Sequence, residues 1–394
     1  MNNSSPKWFT RTDCRICSGP TSEILPFGDV SFATCNNHKS LRDLSYSDWS
    51  APLTLRYCYR CHFAQTAEVV CPSVLYGSFQ YQSSFTSGLR AHFDEVAQRI
   101  KELGLQGSLV EVGSNRGDFL LSCKSKGIKC VGIEPSQELA LASQELGTDT
   151  ICGFFGNEDV QTELSKLENI GCIYVANTLA NIDDIHSFFS AASSLISSNG
   201  FLVIDTQDLD AVIHSGLVDT VYHEHLSYFS VKSFQLLLDQ YGFRFIEVIR
   251  NRHKGGSFTL YLQRSNYSND ELPEDILLSN DISALPLFVE GLKRRIASVT
   301  LQDRSIVGFG SSVGCSTMFN WLGLSQVCNL IYDDNPTSDG VLCRDSFVRV
   351  ESTLRSSIVA NSVVLMLAHR YADAIASRHS RSDLIFTNPW VTSE

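Results

Sequence analysis

The chain has 394 residues, 43% of them apolar and 10% aromatic, with 43 acidic against 31 basic side chains and a formal net charge of −12. That length predicts two or three domains, each long enough to bury a core. The acidic balance argues against a binder that tracks nucleic-acid phosphates, and no stretch approaches the ~20 apolar residues of a membrane span.

The opening "MNNSSPKWFT" carries no apolar run of signal-peptide type, so a cytoplasmic location is expected. Thirteen cysteines without such a signal favour metal ligands and buried thiols over a disulfide framework. The first block, residues 1–75, contains "CRIC" (Cys14, Cys17) and "CYRC" (Cys58, Cys61). Each pair places two thiolates on one tight turn, and two such turns suit a tetrahedral zinc ion. A closed four-thiolate shell makes that zinc structural, with Cys35, His38 and His62 as spare donors.

Residues 76–265 alternate strand and helix. "SLVEVG" (108–113), "KCVGIEP" (129–135), "IYVAN" (173–177) and "FLVIDT" (201–206) are expected strands, with amphipathic helical patterns between them. Such alternation predicts a parallel, doubly wound sheet with its ligand at the carboxyl ends of the strands. The polar stretch 265–285 is the expected connector to a last α/β domain, residues 266–394. There "SIVGFGSSVG" leads into a helix, and "NLIYDDNP", "SVVLMLAH" and "DLIFTNP" supply further strands. The terminal "LIFTNPW" reads as a strand end and turn.

"EVGSNRG" (111–117) is the expected cofactor loop. Gly113 permits close backbone approach, Gly117 opens a helix, and Glu134 stands at the end of the next strand, where an acid can hold ribose hydroxyls. Asn115 replaces the second glycine of a dinucleotide fingerprint, which disfavours a pyrophosphate. Glu111 would repel that group too, but it suits the ammonium of an amino acid. A ligand with an amino-acid end and a ribose end is S-adenosylmethionine. The block resembles the class I methyltransferase core, which implies cofactor contacts from Glu111, Gly113, Ser114, Asn115, Gly117, Glu134 and Asn177.

"TVYHEHLSYFS" (220–230) sets two histidines, a glutamate and two tyrosines just past a strand of that fold. His223 and His225 would share one face of a strand, yet no third ligand stands nearby, so metal is a minor option. A helix is expected from Ser230 to Gly242. Together "CRIC", "CYRC", "EVGSNRG", "VANTLANI", "DTVYHEHLSYFS", "GGSFTLYLQR", "GFGSSVG" and "YDDNP" resemble the sugar C-methyltransferases of deoxysugar pathways along nearly the whole chain. The resemblance implies a small N-terminal zinc-binding domain, a class I, Rossmann-like α/β methyltransferase core and a C-terminal Rossmann-like domain. It also implies a nucleotide-linked 4-keto-6-deoxysugar as substrate, S-adenosylmethionine and structural zinc as cofactors, and neither nucleic acid nor membrane as partner.

His225 then matches the family base, with Tyr222 and Glu224 beside it, Asn181 nearby, and Tyr76 and His223 as substrate contacts. Histidine suits removal of the acidified C–H next to a ketone at neutral pH. The chain departs from the family pattern at Asn181 and Lys254, where histidine is usual, and in "GFGSSVG", which lacks the usual lysine. Transfer to oxygen or nitrogen of another small molecule is the alternative, as is a zinc-containing binding protein with a degenerate methyltransferase fold. The oligomeric state, a monomer included, stays open.

Overall fold

The computed structural model describes residues 7–32, 50–75, 88–265, 272–278, 281–299, 304–328, 330–335, 342–343 and 348–391. Five strands come first: β1 (Trp8–Thr10), β2 (Ser22–Ser31), β3 (Ser50–Cys58), β4 (Phe63–Thr66) and β5 (Glu68–Val70). β2, β3 and β4 form an antiparallel sheet, while β1 pairs with β5. β3 buries alternate residues, Ala51, Leu53, Leu55 and Tyr57, as a strand with one packed face should.

The next eight strands are β6 (Ser108–Val112), β7 (Cys130–Glu134), β8 (Thr150–Cys152), β9 (Ile170–Ala176), β10 (Ile196–Gln207), β11 (Ser227–Tyr228), β12 (Phe243–Asn251) and β13 (Ser257–Arg264). Seven of them form one sheet in the order β12-β13-β10-β9-β6-β7-β8. The central strands are parallel and apolar on both faces, so the four expected strands are all present. β13, however, runs antiparallel to both of its neighbours, so the sheet is mixed where a wholly parallel one was expected. The link from Arg252 to Gly256 is too short for a crossover, and only an antiparallel hairpin can close over it.

β11 leaves this sheet altogether and pairs with β4, Ser227 against Gln65 and Tyr228 against Ala64. The expected helix after it holds, with a 3-10 first turn. Ser230 caps the turn Val231–Phe234 by accepting from the Ser233 amide, and the helix Gln235–Tyr241 stops at left-handed Gly242.

The last strands are β14 (Ser305–Phe309), β15 (Leu330–Asp333), β16 (Leu342–Cys343), β17 (Val348–Ser352), β18 (Ser362–Met366) and β19 (Ile385–Thr387), in the order β16-β17-β15-β14-β18-β19. All are parallel except edge strand β16. The hydrophobic cores cross the sheets. Ile16 and Phe63 pack in one cluster with Ile173, Phe189 and Phe234, and Leu53 and Tyr57 join Val221, Phe319 and Trp390 in another. Among the described residues no helix is long and apolar enough to cross a membrane.

Candidate active site

The four cysteines of the two C-x-x-C turns converge. All four sulfurs lie within 4.8 Å of one another, with Cys14 and Cys61 at 3.9 Å and Cys17 and Cys58 at 3.7 Å. A tetrahedron of sulfurs at about 2.3 Å from zinc has edges of about 3.8 Å, so the set fits the ion. Each pair is followed by a residue of positive φ, Ser18 at 54° and His62 at 51°. The hydrogen bond with Cys61 lowers the Cys14 thiol against the opposing effect of burial. Of the spare donors, Cys35 and His38 lie outside the described residues. His62 Nδ1 is 3.4 Å from the Tyr57 hydroxyl.

This unit is bolted to the turn and helix that follow β9. Arg15, inside the first C-x-x-C, is fully buried and donates to the Asp183 carboxylate at 2.9 Å and to the Thr66 carbonyl at 2.8 Å. His186 Nε2 meets the Ile16 carbonyl at 2.9 Å.

The expected cofactor crevice lies at the carboxyl ends of β6, β7, β9 and β10. Gly113 has φ 76°, and any Cβ there would overlap the Thr178 side chain, so only glycine fits between the loop and the β9 end. Asn115 takes a left-handed φ of 49°, a conformation asparagine tolerates, and Gly117 precedes the helix Asp118–Ser125. Ser114 is buried, and its hydroxyl has no hydrogen-bond partner among the described residues.

Glu134 accepts the Asn115 and Ser136 amides, both at 2.9 Å, one on each oxygen. A carboxylate has about four acceptor positions, so two remain for ribose hydroxyls. Asn177, at φ 54°, follows β9 and donates its amide to the Asp205 carbonyl at 2.7 Å. Glu111 lies deeper than the loop. Burial, with Cys130, Asp118 and Glu134 nearby, pushes its carboxyl well up, and one oxygen has no partner among the described residues. A buried acid surrounded by other acids is a site for a cation, and the α-ammonium of S-adenosylmethionine is one.

The run 220–230 is braced from two sides. The Leu226 amide donates to the Ala180 carbonyl at 2.8 Å, and the Thr66 amide to the Leu226 carbonyl at 3.0 Å. Ala180 and Asn181 belong to the 3-10 turn Leu179–Asn181, which brings Asn181 beside the run. Residues 222–225 form a tight turn closed by the His225 amide on the Tyr222 carbonyl at 3.0 Å, so the two histidines do not lie on a common strand face. His223 packs against Phe32 and its Nε2 donates to the Pro52 carbonyl at 3.0 Å, leaving Nδ1 without a partner among the described residues. Glu224 is buried. Tyr76 lies outside the described residues.

His225 sits between Tyr222, whose ring stacks on it at 5.6 Å, and Tyr228, edge-on at 4.3 Å. Its Nδ1 is 3.2 Å from the Thr220 carbonyl, which also accepts the Tyr228 hydroxyl at 2.9 Å. A carbonyl only accepts, so Nδ1 carries the hydrogen and Nε2 carries the lone pair. Burial lowers the imidazole to about 4, and the Lys254 charge pushes the same way. Burial likewise lowers His223 to about 4.

Both histidines therefore stay neutral in the folded chain while their unfolded forms take a proton near pH 6.5. Their contribution to stability is complete above that pH and is lost as pH falls from about 6.5 toward 4. Melting curves between pH 7 and 4.5 are expected to shift downward over that window, and less steeply in His223→Gln. A melting temperature that stays flat from pH 7 to 5 contradicts the buried neutral pair.

Sequence reasoning missed one cluster at the crevice. His92, on the helix Leu89–Glu102, bonds the Asp205 carboxylate through Nε2, the Tyr174 hydroxyl reaches Asp205 at 3.3 Å, and His253 lies 4.8 Å from His92. Burial works to lower His92 and the carboxylate to raise it, and the carboxylate prevails. The lone acid in the apolar run "FLVIDT" was the available signal.

Comparisons with known proteins bear on the family and not on single residues of the site. A family model described as a methyltransferase domain matches residues 86–248. The C-methyltransferase NovU of Streptomyces niveus is 24% identical over 384 residues, which cover 92% of this chain and 91% of that protein. A SAM-dependent methyltransferase from Thermotoga maritima is 19% identical, with 45% of this chain and 92% of that one covered at a TM-score of 0.35. Magnesium protoporphyrin IX methyltransferase from Synechocystis, solved with bound SAM, is 12% identical over 48% of this chain and 87% of its own, at a TM-score of 0.36.

The chain is an S-adenosylmethionine-dependent methyltransferase with a class I core. Its likeness to NovU, a C-methyltransferase, runs along almost the full length of both chains.

Proposed function

We propose that the enzyme methylates the carbon next to the ketone of a nucleotide-linked 4-keto-6-deoxysugar, with His225 as the base. The observation that carries this reading is the His225 tautomer: Nδ1 is committed to the Thr220 carbonyl, which leaves the lone pair on Nε2 to receive a proton. S-adenosylmethionine supplies an electrophilic methyl group. His225 would take the proton from carbon, Tyr222 would donate to the enolate oxygen, and Glu224 would support the charged imidazole. Asn181, where the family carries histidine, can hydrogen-bond substrate but cannot exchange a proton near neutrality. Tyr76 and the open Nδ1 of His223 are the proposed further substrate contacts.

Glu111, Gly113, Ser114, Asn115, Gly117, Glu134 and Asn177 would hold the cofactor. Cys14, Cys17, Cys58 and Cys61 would hold a structural zinc. A panel of nucleotide-linked 4-keto sugars incubated with methyl-labelled cofactor tests the substrate. Label fixed to a ring carbon is expected, and label confined to oxygen or nitrogen rejects C-methylation. Glu134→Ala is expected to weaken cofactor binding by ~1.5–3 kcal/mol, the range for a charged hydrogen bond. Calorimetry reads this directly, and an unchanged dissociation constant would place the ribose elsewhere.

A further inference from the structure

In an open α/β sheet the ligand crevice lies at the carboxyl ends of the two strands between which the chain order reverses. In the C-terminal sheet those strands are β14 and β18, because β15 lies on one side of β14 and β18 on the other. Their following loops are Gly310–Ser312, leading to the helix Val313–Trp321, and Leu367–Tyr371. This is where a Rossmann-like domain would take a phosphate or carboxylate. A carboxylate is there, and it belongs to the chain itself. Asp219, buried in the 3-10 turn Val218–Thr220, reaches His369 Nε2 at 3.2 Å through one oxygen and the Arg370 guanidinium at 2.7 Å through the other.

Three details make the fit a built one. A Cβ at Gly314 would overlap the Asp219 carbonyl, so the glycine loop approaches the turn as closely as backbone allows. Trp390 stacks on His369 at 4.6 Å with the rings only 7° from parallel, and Asn388 donates to the His369 carbonyl at 3.2 Å. Arg370 also reaches the Lys254 carbonyl at 3.3 Å, tying in the turn between β12 and β13. Burial would raise the Asp219 carboxyl, but its bond to His369 and the Arg370 charge prevail and hold it below the usual range, so it is ionised at neutral pH.

Asp219 immediately precedes Thr220, whose carbonyl fixes the His225 tautomer. We propose that the ligand crevice of the C-terminal sheet is filled by Asp219, and that His369 and Arg370 are positioning residues which hold His225 as a base through the Asp219–Thr220 turn. The inference rests on the reading of His225 as the base, but its test does not. It also gives the last domain a role without a ligand of its own: it sets the geometry of proton transfer in the middle one.

The test is nitrogen-15 NMR of the full-length, histidine-labelled protein, with the His225 signals identified by their loss in His225→Gln. In wild type His225 is expected to be neutral and protonated on Nδ1 at pH 7, and to remain so well below pH 6.5. Arg370→Met is expected to lose the Nδ1–H signature in favour of the Nε2–H form that free imidazole prefers, and to shift the titration midpoint upward toward ~6.5. Arg370→Lys, which keeps the charge, should restore part of the wild-type pattern. Cofactor affinity should stay within twofold in all three proteins.

His369→Ala removes a donor toward Asp219 and provides the same readout should Arg370→Met not fold. An Arg370→Met protein with wild-type cofactor affinity, whose His225 tautomer and titration superimpose on wild type, overturns the proposal. If the tautomer behaves as stated but no substrate carbon ever exchanges its proton, the base reading falls and the positioning role stands.

Discussion

His225→Asn is expected to lower methyl transfer by ~10²–10⁴-fold, the usual worth of a positioned general base, while leaving cofactor affinity nearly unchanged. The geometry separates the two effects. Residues 222–225 form a turn braced by the N-terminal strand β4 and by the turn at Ala180, whereas the cofactor loop is built on β6 and β7. Asparagine can still donate to the Thr220 carbonyl and so keeps the local hydrogen bond, but it offers no atom that takes a proton near neutral pH. Tyr222→Phe should cost less, because a single donor to an enolate oxygen is usually worth ~10²–10³-fold. Steady-state rates and calorimetric cofactor titrations on the same preparations check both statements. A tenfold or smaller loss in His225→Asn would shift the base to His223 or Glu224.

Removing the proposed zinc is expected to abolish activity as well as stability. A structural zinc in an independent module would affect folding of that module alone. Here the hairpin from Cys58 to Cys61 leads straight into β4, and β4 carries β11, the strand inside the active-site run. The Ser230 hydroxyl donates to the His62 carbonyl at 2.7 Å, and Arg15, between two of the ligands, is paired with Asp183 just after Asn181. Loosening the thiolate cluster would therefore strand a buried arginine, a defect worth ~3–5 kcal/mol, and release the brace on His225.

Cys58→Ser is expected to lose bound zinc, to lower the melting temperature by more than ~5 °C, and to reduce transfer by at least the factor seen in His225→Asn. Metal analysis, melting curves and rates on one preparation read all three. Full activity in a metal-free, folded protein would refute the coupling.

The middle of the chain was legible because its central strands are buried on both faces, and runs such as "SLVEV" and "IYVA" can hardly be anything else. The four cysteines were legible because their spacing within each pair states the turn. The hairpin β12–β13 was not: "FRFIEVIRN" and "SFTLYLQR" are strands only by pairing with each other and with β10. Nor could local pattern show that Ser227 and Tyr228 leave their own sheet for β4, since their partners are over 160 residues away. Separations of 168, 113 and 151 residues likewise hide Arg15–Asp183, His92–Asp205 and Asp219–Arg370. Each is an ion pair or hydrogen-bonded pair made by tertiary packing, with no trace in residue spacing. His223 and His225, adjacent in pattern, were separated by a turn that the mixture of residue types did not announce.

The central claim is that His225 moves a carbon-bound proton, and solvent exchange tests it without requiring turnover. The enzyme is held in deuterated water with a nucleotide-linked 4-keto-6-deoxysugar and a cofactor analogue lacking a transferable methyl. Wild type is predicted to wash deuterium into the carbon next to the ketone, Tyr222→Phe to do so more slowly, and His225→Asn not to do so at all. Exchange in His225→Asn at the wild-type rate, or none in any protein with any such sugar, would contradict the account.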